Sequence, residues 1–130
     1  MLSANELLVL SERDYELCSK LESSFPDEFA VSGAAYHIQQ AVEKALKALI
    51  LLHGGAPAFT HNISKLSLHC DELGVKLPEE LDDIAEALTL WETQTRYDPF
   101  CVISMKKYEK AKAVSRQLAQ NARKMIESFG

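Results

Sequence analysis

Apolar positions recur along this chain every third or fourth residue, the spacing of one face of an α-helix. From Ser3 to Glu22, then on to Phe25, the positions Leu7, Leu10, Leu17, Cys18, Leu21 and Phe25 share a face, with Asp14 in the middle of that stripe. Pro26 ends the segment. From about Asp27 to His53, Ala35, Ile38, Val42, Ala45, Leu46, Leu49 and Leu52 make a continuous apolar face. Gly54-Gly55 stops it, because glycine takes the left-handed cap conformation without strain. A short helix is predicted from Ile63 to Leu73, capped by Thr60 or Asn62 and closed by Gly74. The next begins at Pro78, a favoured first helical position, and carries Glu79, Glu80, Asp82 and Asp83 where the helix dipole suits acids. Its buried face is Leu81, Ile84, Ala85, Leu88 and Trp91, and it ends near Tyr97 because Pro99 disfavours helical geometry at Asp98. The last runs from about Ser104 to Phe129 with Tyr108, Ala111, Val114, Leu118, Ala122, Met125 and Phe129 inward.

Four long helices and one short one predict an all-α fold, an antiparallel four-helix up-and-down bundle with one additional short helix. At 130 residues the chain fits a single domain, 1–130, with enough length to bury a core. No internal repeat or low-complexity segment interrupts it. The connections around Gly54–His61 and Asp98–Val102 are the loops where function is expected.

Composition alters this picture little. Apolar residues make up 47% and charged residues 25%, values of an ordinary globular chain, which argues against disorder. The net charge of −5 argues against duplex DNA as a partner, since that needs a dense basic surface. Cys18, Cys70 and Cys101 are odd in number and form no CxxC pair, which suggests reduced thiols and a cytoplasmic location. The opening MLSANELLVLSERD reads as no signal peptide, and the run Ala48 to Leu52 is too short to span a membrane.

Four groupings are candidates for chemistry. His37, Gln40, Lys44 and Lys47 lie within about 80° of arc on the second helix, opposite its apolar stripe, where lysines hold phosphate as point charges or simply face water. Asp14, in a bundle-facing stripe, needs a partner such as Lys44 or Lys47, or else reaches water from the stripe margin. Thr60-His61-Asn62 precedes a helix N-terminus, whose N–H groups attract anions; the plainer alternative is a capping loop with His61 packed on Phe59. Arg96-Tyr97-Asp98-Pro99 suits phosphate binding and base stacking, or else an Arg–Asp cap with Tyr97 plugging the core. Gly54-Gly55 lacks the Lys-Ser/Thr of a phosphate loop, and the four histidines show no paired-ligand spacing, so neither cofactor nor metal is expected.

The stretch Ala35 to Ile50, AYHIQQAVEKALKALI, resembles the second helix of HEPN domains: an aromatic, then Gln-Gln-Ala-x-Glu-Lys-x-x-Lys-Ala, followed by glycine and Thr-His. Here Gly54-Gly55 and Thr60-His61 supply the last two. Arg96-Tyr97 near Pro99 is similar to the family's Arg-Tyr-Pro element, and Asp14 to its first-helix acid. The resemblance implies an all-α bundle, usually a homodimer, often paired with a minimal nucleotidyltransferase as a toxin–antitoxin module, or binding nucleotide or RNA. It also implies that ribonuclease members carry an arginine and a histidine separated by four to six residues. At the matching distances Arg96 is followed by Cys101, Val102 and Ile103, Arg13 by Cys18, Ser19 and Lys20, and Arg116 by Asn121, Ala122 and Arg123. The histidine that would supply general acid or base is missing. Arg-Tyr-Asp-Pro also differs from Arg-Tyr-Pro by one inserted residue.

The resulting expectation is a non-catalytic nucleotide- or RNA-binding or partner-docking domain acting with a nucleotidyltransferase. In it Lys44, Lys47 and Arg96 meet phosphate, Tyr97 stacks or hydrogen-bonds, His61 orients, and Gln40 and Asp14 complete the site. The alternatives are an endoribonuclease in which His61 or His37 replaces the missing histidine, and a purely structural protein-interaction module.

Overall fold

The computed structural model describes residues 2–129. It is all-helical: α1 (Ala4–Leu21), α2 (Glu28–Leu52), α3 (Ile63–Glu72), α4 (Glu80–Tyr97) and α5 (Met105–Phe129), with a single 3₁₀ turn at Glu22–Ser24 and no strand among the described residues. No helix among these residues is long and apolar enough to cross a membrane.

The helix boundaries follow local chemistry. Ser3 caps α1: its hydroxyl accepts from the Glu6 N–H, and the Glu6 carboxylate accepts from the Ser3 N–H. Asp27 and Asn62 cap α2 and α3 by the single side-chain bond, accepting from the N–H groups of Ala30 and Lys65. After α2 and α3 the chain turns through Gly54 and Gly74 at φ of 84° and 81°, a region that penalises any residue with a Cβ.

The central element is α2, which packs against each of the other four helices. Ala34, Ala35, Ala41, Ala45 and Ala48 are fully buried on it, so neighbours approach closely on several sides, while Ile38, Val42, Leu46, Leu49 and Ile50 fill the spaces between. The close approach of α1 shows in the Ser11 hydroxyl, which donates to the Ala41 carbonyl at 2.6 Å.

The α4 face and the α5 positions Tyr108 to Ala122 are buried as the spacing predicts. Met125 is half-buried, and the Phe129 side chain lies outside the described residues. On α1 the buried face is rotated: Leu7, Leu8, Ser11 and Cys18 are inside, Leu10 is half-buried and Leu17 is exposed. The predicted stripe chose the larger leucines, but α2's small residues accept Ser11 instead. On α2 the face opposite the apolar stripe is not open either. His37, Gln40, Lys44 and Lys47 sit half-buried in the seams between helices.

Candidate functional site

Because α2 is surrounded, its polar residues must find partners inside the fold. Glu43 is the centre of one group. Its side chain is only 5% exposed, and it accepts from Gln39 Nε2 at 2.9 Å and Lys47 Nζ at 3.1 Å. His61 Nδ1 lies 2.8 Å from the same carboxylate. Gln39 in turn accepts from Gln40 Nε2 at 2.8 Å.

The loop before α3 brings His61 to this point. Asn62 donates its N–H to the Thr60 hydroxyl at 3.1 Å, and Ile63 donates to Thr89 Oγ1 at 3.0 Å, which ties the turn to α4. The N–H groups that would attract an anion at the start of α3 are therefore partly occupied by Thr89 and the Asn62 cap. Phe59 is fully exposed, so His61 does not pack on it.

Glu92 of α4 continues the group. His61 Nε2 lies 3.8 Å from its Oε1, and the Arg96 guanidinium bonds the same oxygen, while Arg96 Nε donates to the Glu92 carbonyl at 2.8 Å. The guanidinium lies 5.3 Å from the Tyr36 ring centroid and 5.1 Å from that of Tyr97. Tyr97 is 74% exposed, so it is not a core plug, and Asp98 accepts from the Phe100 N–H rather than pairing with Arg96.

Asp14 forms a second group next to the first. Lys44 Nζ donates to its Oδ2 at 2.6 Å, and His37 Nδ1 lies 2.9 Å from its Oδ1. The Tyr36 and His37 rings meet edge to face at 5.3 Å, so the two groups touch through consecutive residues of α2.

The fold thus brings Lys47, His61, Arg96 and Tyr97 to one edge, with Gln40 behind it, and Asp14 and Lys44 beside it. Sequence reasoning placed none of Glu43, Glu92, Gln39 or Tyr36 in the site, although Tyr36, Gln39 and Glu43 belong to the α2 motif quoted above. The available signal was their helical spacing: Gln39 and Glu43 precede Glu43 and Lys47 by four residues, and Glu92 precedes Arg96 by four. With the histidines neutral, three carboxylates balance three cations. The edge therefore holds its cations on carboxylates, through the same charge-assisted donors that a phosphate would engage. Among the described residues no three His, Cys, Asp or Glu side chains are grouped as a metal requires. The buried thiols of Cys18 and Cys70 are pushed up to about 12 by burial, which makes them poor nucleophiles.

Helices, central α2 and paired polar seams together define the class. A family model described as HEPN domain matches residues 9–129, and the chain belongs to that family. The crystal structure of TT1696 from Thermus thermophilus is similar in fold, with a TM-score of 0.70 at 22% identity over 96% of this chain and 99% of that one. No curated protein matches the chain.

Proposed function

We propose that this chain is a non-catalytic HEPN binding module, an antiparallel up-and-down bundle that works as a homodimer beside a minimal nucleotidyltransferase in a toxin–antitoxin-like pair. It presents the Lys47–His61–Arg96–Tyr97 edge to a nucleotide or an RNA end. The observation that carries this reading is convergence: residues from α2, the loop before α3, and α4 meet around Glu43 and Glu92. Arg96 is already oriented by Glu92 and flanked by two tyrosines, so an incoming phosphate exchanges one oxyanion for another while Tyr97 offers a stacking face. Calorimetric titration with ATP and with a 5′-phosphorylated oligoribonucleotide tests it. Arg96→Ala loses charge-assisted bonds worth about 1.5–3 kcal/mol, an affinity loss of about tenfold or more. Equal affinities for wild type, Lys47→Ala and Arg96→Ala would remove the pocket.

One arrangement favours a second reading, the endoribonuclease. Glu43 holds His61 through Nδ1, leaving Nε2 on a half-open side near Arg96, as a general acid or base is held. Incubating purified protein in high excess with total RNA decides between the two. Cleavage abolished by His61→Ala supports the enzyme; intact RNA, with no growth arrest on expression, eliminates it.

A further inference from the structure

A second charged surface runs along α5, away from the Glu43–Glu92 edge. This helix carries seven of the chain's 14 lysines and arginines against Glu109 and Glu127, a formal +5 in a chain whose total is −5. Beside α1 it borders two grooves of about 500 and 1130 Å³. Tyr15, Arg116, Gln120 and Lys124 line both, so the two form one trough. Its α5 side extends from Met105 to Lys124, roughly 28 Å at the helical rise.

The trough has an apolar floor and a rim whose four cations outnumber its three glutamates, of which Glu109 makes no ion pair among the described residues. Lys106, Lys107 and Lys110 of the same helix lie outside it. Tyr15, Phe25, Met105, Ala113 and Ala119 supply apolar surface. Two rim cations are already held: Lys112 lies 2.7 Å from Glu22 and 4.8 Å from the Tyr15 ring centroid, and Arg123 lies 2.6 Å from Glu12. Arg116 and Lys124 are exposed and make no ion pair among the described residues. Ser115 lines the smaller part at 1% exposure, and its hydroxyl has no hydrogen-bond partner among the described residues.

We propose that this trough seats an acidic amphipathic helix of a partner protein, its apolar side on Tyr15, Phe25 and Ala113 and its carboxylates on Arg116 and Lys124. Length favours a helix, because a nucleotide would fill only part of such a channel. Arg116 and Lys124 stand eight residues apart, roughly 12 Å along the axis, which carboxylates two turns apart on a docked helix would match. The apolar floor separates this occupant from a nucleic-acid duplex, which is held through its phosphates by cations; single-stranded RNA, whose bases stack on aromatic rings, is an arm of the test. The inference is independent of the Arg96 edge and survives if that edge binds nothing.

The test titrates ¹⁵N-labelled protein with a designed helical peptide of about 20 residues, leucine on one face and glutamate on the flanks. A lysine-for-glutamate version and an oligouridylate serve as comparisons. We expect the glutamate peptide to shift the amide signals of Tyr15, Ala113, Arg116, Gln120 and Lys124. Its affinity should fall about tenfold or more in Arg116→Glu/Lys124→Glu, the loss of two charge pairs. The lysine peptide should regain binding to that variant, which shows that the variant is folded and that charge is the cause. The proposal is overturned by no binding of the glutamate peptide, by binding unchanged in the variant, or by equal binding of the lysine peptide to wild type. Tighter binding of oligouridylate at the same residues would assign the trough to RNA, and loss of self-association in the variant would assign it to a second copy; either also overturns it.

Discussion

Glu43→Leu should destabilise this protein more than its single charge suggests. The carboxylate accepts from Gln39 and Lys47 and faces His61 Nδ1, at distances between 2.8 and 3.1 Å. Leucine fills similar space, so the cavity contribution is small and the cost lies in the stranded partners. Gln39 is fully buried, and losing an acceptor there costs about 1–3 kcal/mol. The Lys47 side chain is 18% exposed and reaches water in part, so its share falls to about 1 kcal/mol, below the 3–5 of a fully buried broken pair. The His61 side chain, 59% exposed, turns to water at little cost. The sum is about 2–4 kcal/mol, and a chain of this size loses roughly 3–5 °C of Tm per kcal/mol, so the melt should drop by roughly 6–20 °C. Urea unfolding followed by circular dichroism, with Trp91 fluorescence as a second probe, measures it. Glu43→Leu/Lys47→Leu should recover about 1 kcal/mol, because no ammonium is left stranded. A single-variant cost below about 0.5 kcal/mol, or a double variant no better than the single, would refute this account of the network.

Two further outcomes follow from the geometry. The Tyr108 hydroxyl donates to Glu22 at 2.7 Å, and burial and then this bond raise its pKa above the ordinary 10. The folded state then holds the proton more tightly than the unfolded one, so this contribution is complete below pH 10 and declines as pH rises further. Tyr108→Phe should flatten the alkaline loss of stability seen in urea melts above pH 10, and an unchanged pH slope would count against the Glu22–Tyr108 bond. Gly54→Ala should cost about 1–2 kcal/mol by thermal melting. A Cβ there meets nothing within 4 Å, so the whole cost comes from its φ of 84°; a neutral result would show that the turn relaxes.

The Asp14–His37–Lys44 group lies beside the Glu43 group and shares α2 with it, so a ligand at the edge would meet two carboxylate-held cation sets rather than bare lysines. Exchange of oxyanions, not capture by an unpaired charge, is the chemistry such a surface supports. The α5 trough differs in that Arg116 and Lys124 have no such partners among the described residues.

Helix existence, most ends and most faces were legible in the sequence, because each depends on residues within a turn or two; α4 starts at Glu80, two residues past the predicted Pro78. Gly54 and Gly74 end helices by backbone freedom, Asp27 and Asn62 cap them through their own side chains, and the α4 stripe from Leu81 to Trp91 repeats at helical spacing. The HEPN resemblance was legible for the same reason: its strongest motif lies within α2 and the loop after it. Tertiary structure decided the rest. Periodicity shows one apolar face of α2 but not that other helices cover the remaining sides, and that is what turns Gln39 and Glu43 from surface residues into buried hubs. It likewise chose Ser11 over Leu17 for the inside of α1, because the choice depends on which residues α2 presents. His61 and Arg96 stand 35 positions apart in the chain, and no local rule relates them; Glu92 does so only once the loop before α3 is tied to α4 through Thr89. Local chemistry determined the elements, whereas the pairing of charges depended on which elements became neighbours.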